Sequence, residues 1–500
     1  MKRLSLIILL VLSIGSISFA QNADDALRYS RLFYSGTARF MSMGGAFTAM
    51  GGDISTLSQN PAGIGVFRSS EVTITPQLGH FKSTSLFNTS NAEDYLYNFN
   101  LGQGGLVANL IKNESESGLV SLNIGYSFNR TNNLTQSIVI NGKSSSSSLL
   151  DYWVDKAEGF YPDELASSVA DAYDASLGWR TYVIDSLSGS STSYGTVYSN
   201  YGDNPPSVYG QNMKRVITND GYTGEHAISI GGNYSNKLFF GATLGINTLS
   251  YESKYEHSES TVAALPSLFT DFNYTLYYKD NGTGFNLKLG AIYKPIEILR
   301  IGFAFHSPTI YHINRYLYDN ISTHFSDGGH YSASNDALRF SYGVTTPFRV
   351  LTGAALQVKK IALLSVDYEF VDYSAARFFE TGDGYDYTNK NQEIKNSLGT
   401  TNNIRFGAEV RLSNIYLRGG YGYYGKAWKT GGENKNQDFN SLSFGIGFRE
   451  KNIFADFGFS TMKNKDNYVL YTSTSTGSPV SSLDLTRNTF AVTFGYKFGY

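Results

Sequence analysis

The stretch Arg487-Asn488-Thr489-Phe490-Ala491-Val492-Thr493-Phe494-Gly495-Tyr496-Lys497-Phe498-Gly499-Tyr500 alternates with period two. Phe490, Val492, Phe494, Tyr496, Phe498 and Tyr500 share one side of an extended chain. Thr489, Ala491, Thr493, Gly495, Lys497 and Gly499 share the other. One face suits lipid and the other a wet interior, and the aromatic ladder matches the interfacial girdles of membrane barrels. Working outward, Ile404 to Leu412 and Leu442 to Phe448 alternate in the same way, with Arg405, Glu409, Arg411 and Arg449 on the inward side. Unpaired charges in a dry core would be costly, so that side faces water.

Such segments predict an all-β fold, a transmembrane antiparallel barrel of about 14 strands. The expected strands are Ser70 to Phe81, Tyr95 to Lys112, Ser117 to Thr131, His226 to Asn236, Lys237 to Tyr251, Gly282 to Lys294 and Ile298 to Ile313. They continue with Ser341 to Lys359, Ile361 to Ala376, Asn402 to Leu412, Asn414 to Tyr424, Asn440 to Glu450, Asn452 to Met462 and Arg487 to Tyr500. Connections sort by length as barrels require, short inside and long outside. The short ones centre on Asn113 to Glu116, Asn236, Pro295 to Glu297, Lys360, Ser413 and Lys451. The largest outer loop, residues 132–225, holds a Ser144 to Ser148 run, a helix expected over Pro162 to Leu177, and Trp153 and Trp179. It reads equally as a self-packed lid or as an apolar ligand-collecting surface.

Composition agrees. The 500 residues include 51 Gly, 38 Tyr and 33 Phe, no Cys, and a net charge of −2. Without Cys there is neither a disulfide framework nor a thiol metal site. Without a basic stripe the footprint of nucleic-acid binding is missing. Lys2 and Arg3, the apolar Leu4 to Ile17 and Ser18-Phe19-Ala20 read as a cleaved secretory signal over residues 1–20, with mature protein starting near Gln21. Secretion plus a barrel places the chain in the outer membrane of a Gram-negative cell, in contact with its lipid.

Residues 21–69 are too long for a lead-in, and a barrel of this size needs its lumen filled. This segment is the expected plug, ahead of a barrel over 70–500. Its Gly44-Gly45-Ala46-Phe47 stretch is followed by Asn60-Pro61-Ala62-Gly63. Together with Gly290 to Pro295, Arg300 to Phe303 and Thr346-Pro347-Phe348 before Gly353, these stretches resemble the FadL/TodX family of outer-membrane transport proteins for hydrophobic compounds. The likeness covers most of the mature chain. It implies an N-terminal hatch carrying Gly44, Gly45, Asn60, Pro61, Ala62 and Gly63, passive uptake of apolar molecules such as long-chain fatty acids, and sideways exit through the wall.

Inward charges are Lys288, Arg300, His306, Arg405, Glu409, Arg411, Arg449 and Lys497. Their simplest roles are lumen hydration and ion pairs to the hatch. An amphipathic acid as cargo would make Lys288 or Arg405 its carboxylate contact. No cofactor or metal is expected. His306 with His312, and His324 with His330, share spacings that hint at metal or haem, but no tight His and carboxylate cluster accompanies them. Gly420, Gly422 and Gly425 lack the helix a dinucleotide site needs and read as aids to strand curvature or loop closure. No nucleophile elbow or triad is legible, so an enzyme is not expected. A structural or adhesive barrel, a general porin and a haem-binding receptor stay open as alternatives.

Overall fold

The computed structural model describes residues 22–113, 116–167, 172–199, 208–265, 267–359, 361–382, 384–429 and 437–499. The expected signal over residues 1–20, the start at Gln21, Glu114 and Ser115 of the expected turn at Asn113 to Glu116, the turn residue Lys360 and Tyr500 lie outside them.

Fourteen wall strands close into a ring. They are β1 (Ser70–Phe87), β2 (Ser90–Lys112), β3 (Leu119–Asn133), β4 (Asn212–Tyr234), β5 (Leu238–Ser260) and β6 (Phe269–Ile296). Next come β7 (Leu299–His306 with Ile310–Phe325), β8 (Leu338–Thr345 with Arg349–Val358) and β9 (Ala362–Asp372, continued by Arg377–Glu380). The ring ends with β10 (Thr400–Leu412), β11 (Ile415–Tyr424), β12 (Phe439–Glu450), β13 (Ile453–Val469) and β14 (Val480–Phe498). Neighbours pair antiparallel throughout. Closure comes from β1 on β14, with Val72 opposite Tyr496 and Leu78 opposite Phe490.

The expected faces hold. Phe494 and Tyr496 are exposed, whereas Ala491 and Thr493 are fully buried. Phe99, Phe285, Phe303, Phe406 and Phe444 continue an exposed apolar belt round the ring. A belt of this extent would aggregate in water and matches the hydrocarbon layer of a bilayer. No helix among the described residues is long and apolar enough to cross a membrane. The inner turns are tight: Asn236, Lys359, Ser413 and Lys451 adopt φ between +49° and +56°, as short hairpin turns require.

Several boundaries differ from expectation. Ile298–Ile313 and Ser341–Lys359 are interrupted at residues 307–309 and 346–348, where Pro308 and Pro347 cannot donate to the ladder. Ile361–Ala376 ends in a 3-10 turn at Tyr373–Ala375. β5, β6, β13 and β14 run well past their expected outer ends, so the outer loops are shorter than expected. Segments such as Glu252-Ser253-Lys254-Tyr255 pair as strands but are polar on both sides, which erases the period-two signal.

Within residues 132–225 an unexpected strand, Gln136–Lys143, pairs with the outer part of β4. The serine run ends in a helix cap: Ser148 and Asp151 form a capping box for α3 (Leu149–Ala157). Pro162–Leu177 is not a single helix. Its described α-helical parts are Pro162–Ala166 and the start of Ala175–Arg180, with Ser167 and residues 172–174 outside them. Trp153 is fully buried, packed with wall residues Phe272 and Tyr274. Around Trp153 the described part of the loop is packed on the upper wall, while Tyr161, Tyr182 and Leu187 stay exposed.

Candidate functional site

Residues 22–69 fold into α1 (Ala23–Ser30), α2 (Ala38–Ser42) and two 3-10 turns, Ile54–Ser58 and Pro61–Val66. Most are buried against the inward side of the wall. Seats for them are built from inward glycines. A Cβ at Gly241 would overlap Pro61, at Gly290 Asn60, at Gly302 Thr48 and at Gly420 Gly44. Gly420 is thus a seat for the segment's backbone, which corrects its reading as an aid to curvature.

The Gly44, Gly45, Asn60, Pro61, Ala62 and Gly63 stretches are structural joints. Gly44 and Gly45 turn the chain at φ of 63° and 70°, a region where other side chains are strained. Asn60 accepts from Ala62 N at 3.1 Å and donates to Thr48 O at 2.5 Å, with Ala291 O of β6 at 3.4 Å. Pro61 opens the 3-10 turn, where its missing N–H is not needed.

Ion pairs reinforce the seating. Arg39 binds both oxygens of Glu409, at 2.9 and 3.1 Å. Arg315 reaches Asp25 at 2.9 Å and Asp280 at 2.6 Å, and Tyr29 donates to Asp280. Thr48 donates to Asp367 at 2.7 Å.

The two candidate carboxylate contacts belong to this framework. Lys288 Nζ lies 2.5 Å from Glu225 and 2.7 Å from Ser58 O. Arg405 Nη1 lies 2.7 Å from Glu369, itself paired with Arg349 at 2.5 Å. Both are buried. A cargo carboxylate would have to displace Glu225 or Glu369. Of the other inward charges, Arg300 donates to Met50 O at 2.6 Å and Arg449 to Asp456 at 2.8 Å. Arg411 sits exposed at the inner rim.

The histidines do not assemble a metal centre. His306 is buried, with Nε2 2.6 Å from Gln59 O, while His312 is exposed on the other side of the same strand. His324 and His330 stack at 4.5 Å. No group of three His, Cys, Asp or Glu able to hold a metal occurs among the described residues.

Two connected chambers lie on the outer side of α2. The outer one, about 190 Å³, is lined by α1 residues Asp24 and Arg28, by Arg31, and by Tyr251, Gln437 and Phe439. The inner one, about 80 Å³, meets it at Phe33, Asn133, Met462 and Arg487. Met41 and Gly44 belong to this inner chamber, whereas Thr37 and Arg39 line a separate polar cavity of about 190 Å³. α2 therefore stands between the chambers and that cavity. Arg31 and Arg487 were overlooked in the sequence. For Arg487 the signal was available, since it shares the inward parity of Thr489 to Lys497.

The inner chamber reaches the wall at Asn100 of β2 and Arg130 of β3. There the ladder stops. β2 and β3 pair from Lys112 with Ser121 only up to Gln103 with Asn129, although β2 continues to Ser90. The β1 register also slips at Thr75/Pro76. Above this seam β2 and β3 share no ladder pair among the described residues, and side chains reach across, as in Ser137 to Asp94 at 2.5 Å.

No protein-family model and no curated protein matches this sequence. Solved structures do. The toluene transporter TodX of Pseudomonas putida aligns over 94% of this chain and 100% of its own at 11% identity, with a TM-score of 0.53. A FadL homologue of Pseudomonas aeruginosa aligns over 94% and 99% at 12% identity, also at 0.53. The chain has the fold of FadL/TodX-type barrels.

Proposed function

We propose that this protein is an outer-membrane channel for the passive uptake of hydrophobic compounds such as long-chain fatty acids, with residues 22–69 as its hatch. The carrying observation is the pair of chambers that stops at α2 and opens toward the β2/β3 seam. A solute entering from outside has no straight path past α2, and an apolar one gains by leaving sideways into lipid rather than through water. A solved structure of this fold is described as a toluene transporter, which supports the class of cargo. The protein is read as a conduit without a catalytic role or cofactor.

Reconstituted in liposomes, it should take up toluene and a fatty acid but not arabinose. Replacing Asn60 to Gly63 should abolish that selectivity. Absence of flux for every solute would favour the structural or adhesive reading. Sugar flux indifferent to the replacement would favour a porin.

A further inference from the structure

Resting on that reading, we propose that the inner chamber is a head-group site for an amphipathic anion bearing a hydroxyl beside its acid, as in a 3-hydroxy alkanoate, with the alkyl tail in the outer chamber.

Charge decides the sign. Among the described residues the charged ones lining the inner chamber are Arg130 and Arg487, and none of the described carboxylates lines it. Arg39, Arg315, Arg349, Arg405 and Arg418 pair with Asp or Glu, and Arg215 and Arg300 donate to the backbone carbonyls of Leu470 and Met50. Arg487 has no such partner among the described residues; its guanidinium lies 6.0 Å from the Phe81 ring. Arg130 lies 4.2 Å over Tyr222 and donates weakly to Leu101 O at 3.5 Å. A guanidinium left without a carboxylate in a recessed space suits an incoming one, which it can hold bidentately.

The neutral groups decide the rest of the head. Three residues lining this chamber hold a buried polar atom with no hydrogen-bond partner: Arg487 Nε, Tyr34 Oη and Asn100 Oδ1. Ser441, Ser460 and Thr489 add hydroxyls. A hydrocarbon would leave all of these desolvated, whereas an acid with a neighbouring hydroxyl supplies both acceptor and donor. At about 80 Å³ the chamber holds such a head. Phe33, Phe81, Phe439 and Leu485 give the outer chamber apolar surface for a tail.

The test is calorimetric titration of the full chain in amphipol, free of added lipid, with 3-hydroxydecanoate, decanoate and 1-decanol. Affinity should fall in that order, at least tenfold from acid to alcohol. Arg487→Gln and Arg130→Gln should each weaken both acids about tenfold and leave decanol unchanged, and Arg487→Lys should restore part of the loss. Unchanged migration of unheated samples on gels verifies folding of each variant. Equal affinity for acid and alcohol, or acid binding indifferent to both arginines, would overturn the proposal. So would acid binding that is competed only by phospholipid vesicles, which would mark a lipid-head site instead. Toluene flux into liposomes reads the channel assignment separately, since either result can fail while the other holds.

Discussion

Gly290 and Asp24 show what single positions carry. Gly290 seats Asn60, so Gly290→Val should dislodge residues 22–69, while Gly104→Ala, where a Cβ meets only Thr73 O at 4.0 Å, should not. Limited proteolysis of the segment and planar-bilayer conductance should both rise in the first variant alone. Asp24 lines the outer chamber, and its carboxyl is pushed up to about 6, chiefly by desolvation, against the pull of Arg28. Above that pH it is ionised and offsets Arg28 and Arg31; below it the chamber becomes more positive. Decyl sulfate, anionic throughout, should therefore bind about two- to fivefold tighter at pH 5 than at pH 7.5. Asp24→Asn should hold the tighter value at both. At this scale the sequence revealed direction but not partnership. Parity put Lys288 and Arg405 inside, yet their partners Glu225 and Glu369 lie on other strands, and pairing across strands has no local signature.

Among the elements, legibility followed the bilayer. Where a strand has lipid on one side and the small and polar seats of residues 22–69 on the other, as in Phe490 to Lys497, alternation is forced and readable. That inward side, expected from the sequence to face water, instead packs against Ala38 and Met41. Beyond the membrane, Asn212–Tyr234 and Leu238–Ser260 stay paired over their full lengths while losing that contrast. α3 was missed because it is held by Trp153 on the wall tops and by one cap rather than by a long periodic pattern. Trp153→Ala should cost the loop region about 3–5 kcal/mol. Protease cleavage within 144–211 should then appear while the transmembrane wall keeps its resistance; equal loss of both would show that lid and wall unfold together.

For the whole molecule, the chambers, the hatch and the seam form one proposed route, from the outer loops to the lipid beside β2 and β3. The chain has no Cys, so introduced thiols report cleanly on that route. Asn98 and Asn133 lie on opposite sides of the seam and both come within about 4 Å of where a Cβ on Gly79 would sit. The most direct measurement is fatty-acid uptake into liposomes by the Asn98→Cys/Asn133→Cys protein, before bridging, after bridging by a reducible bis-thiol reagent, and after reduction. The account predicts uptake that is lost on bridging and returns on reduction; uptake unchanged by the bridge would contradict it.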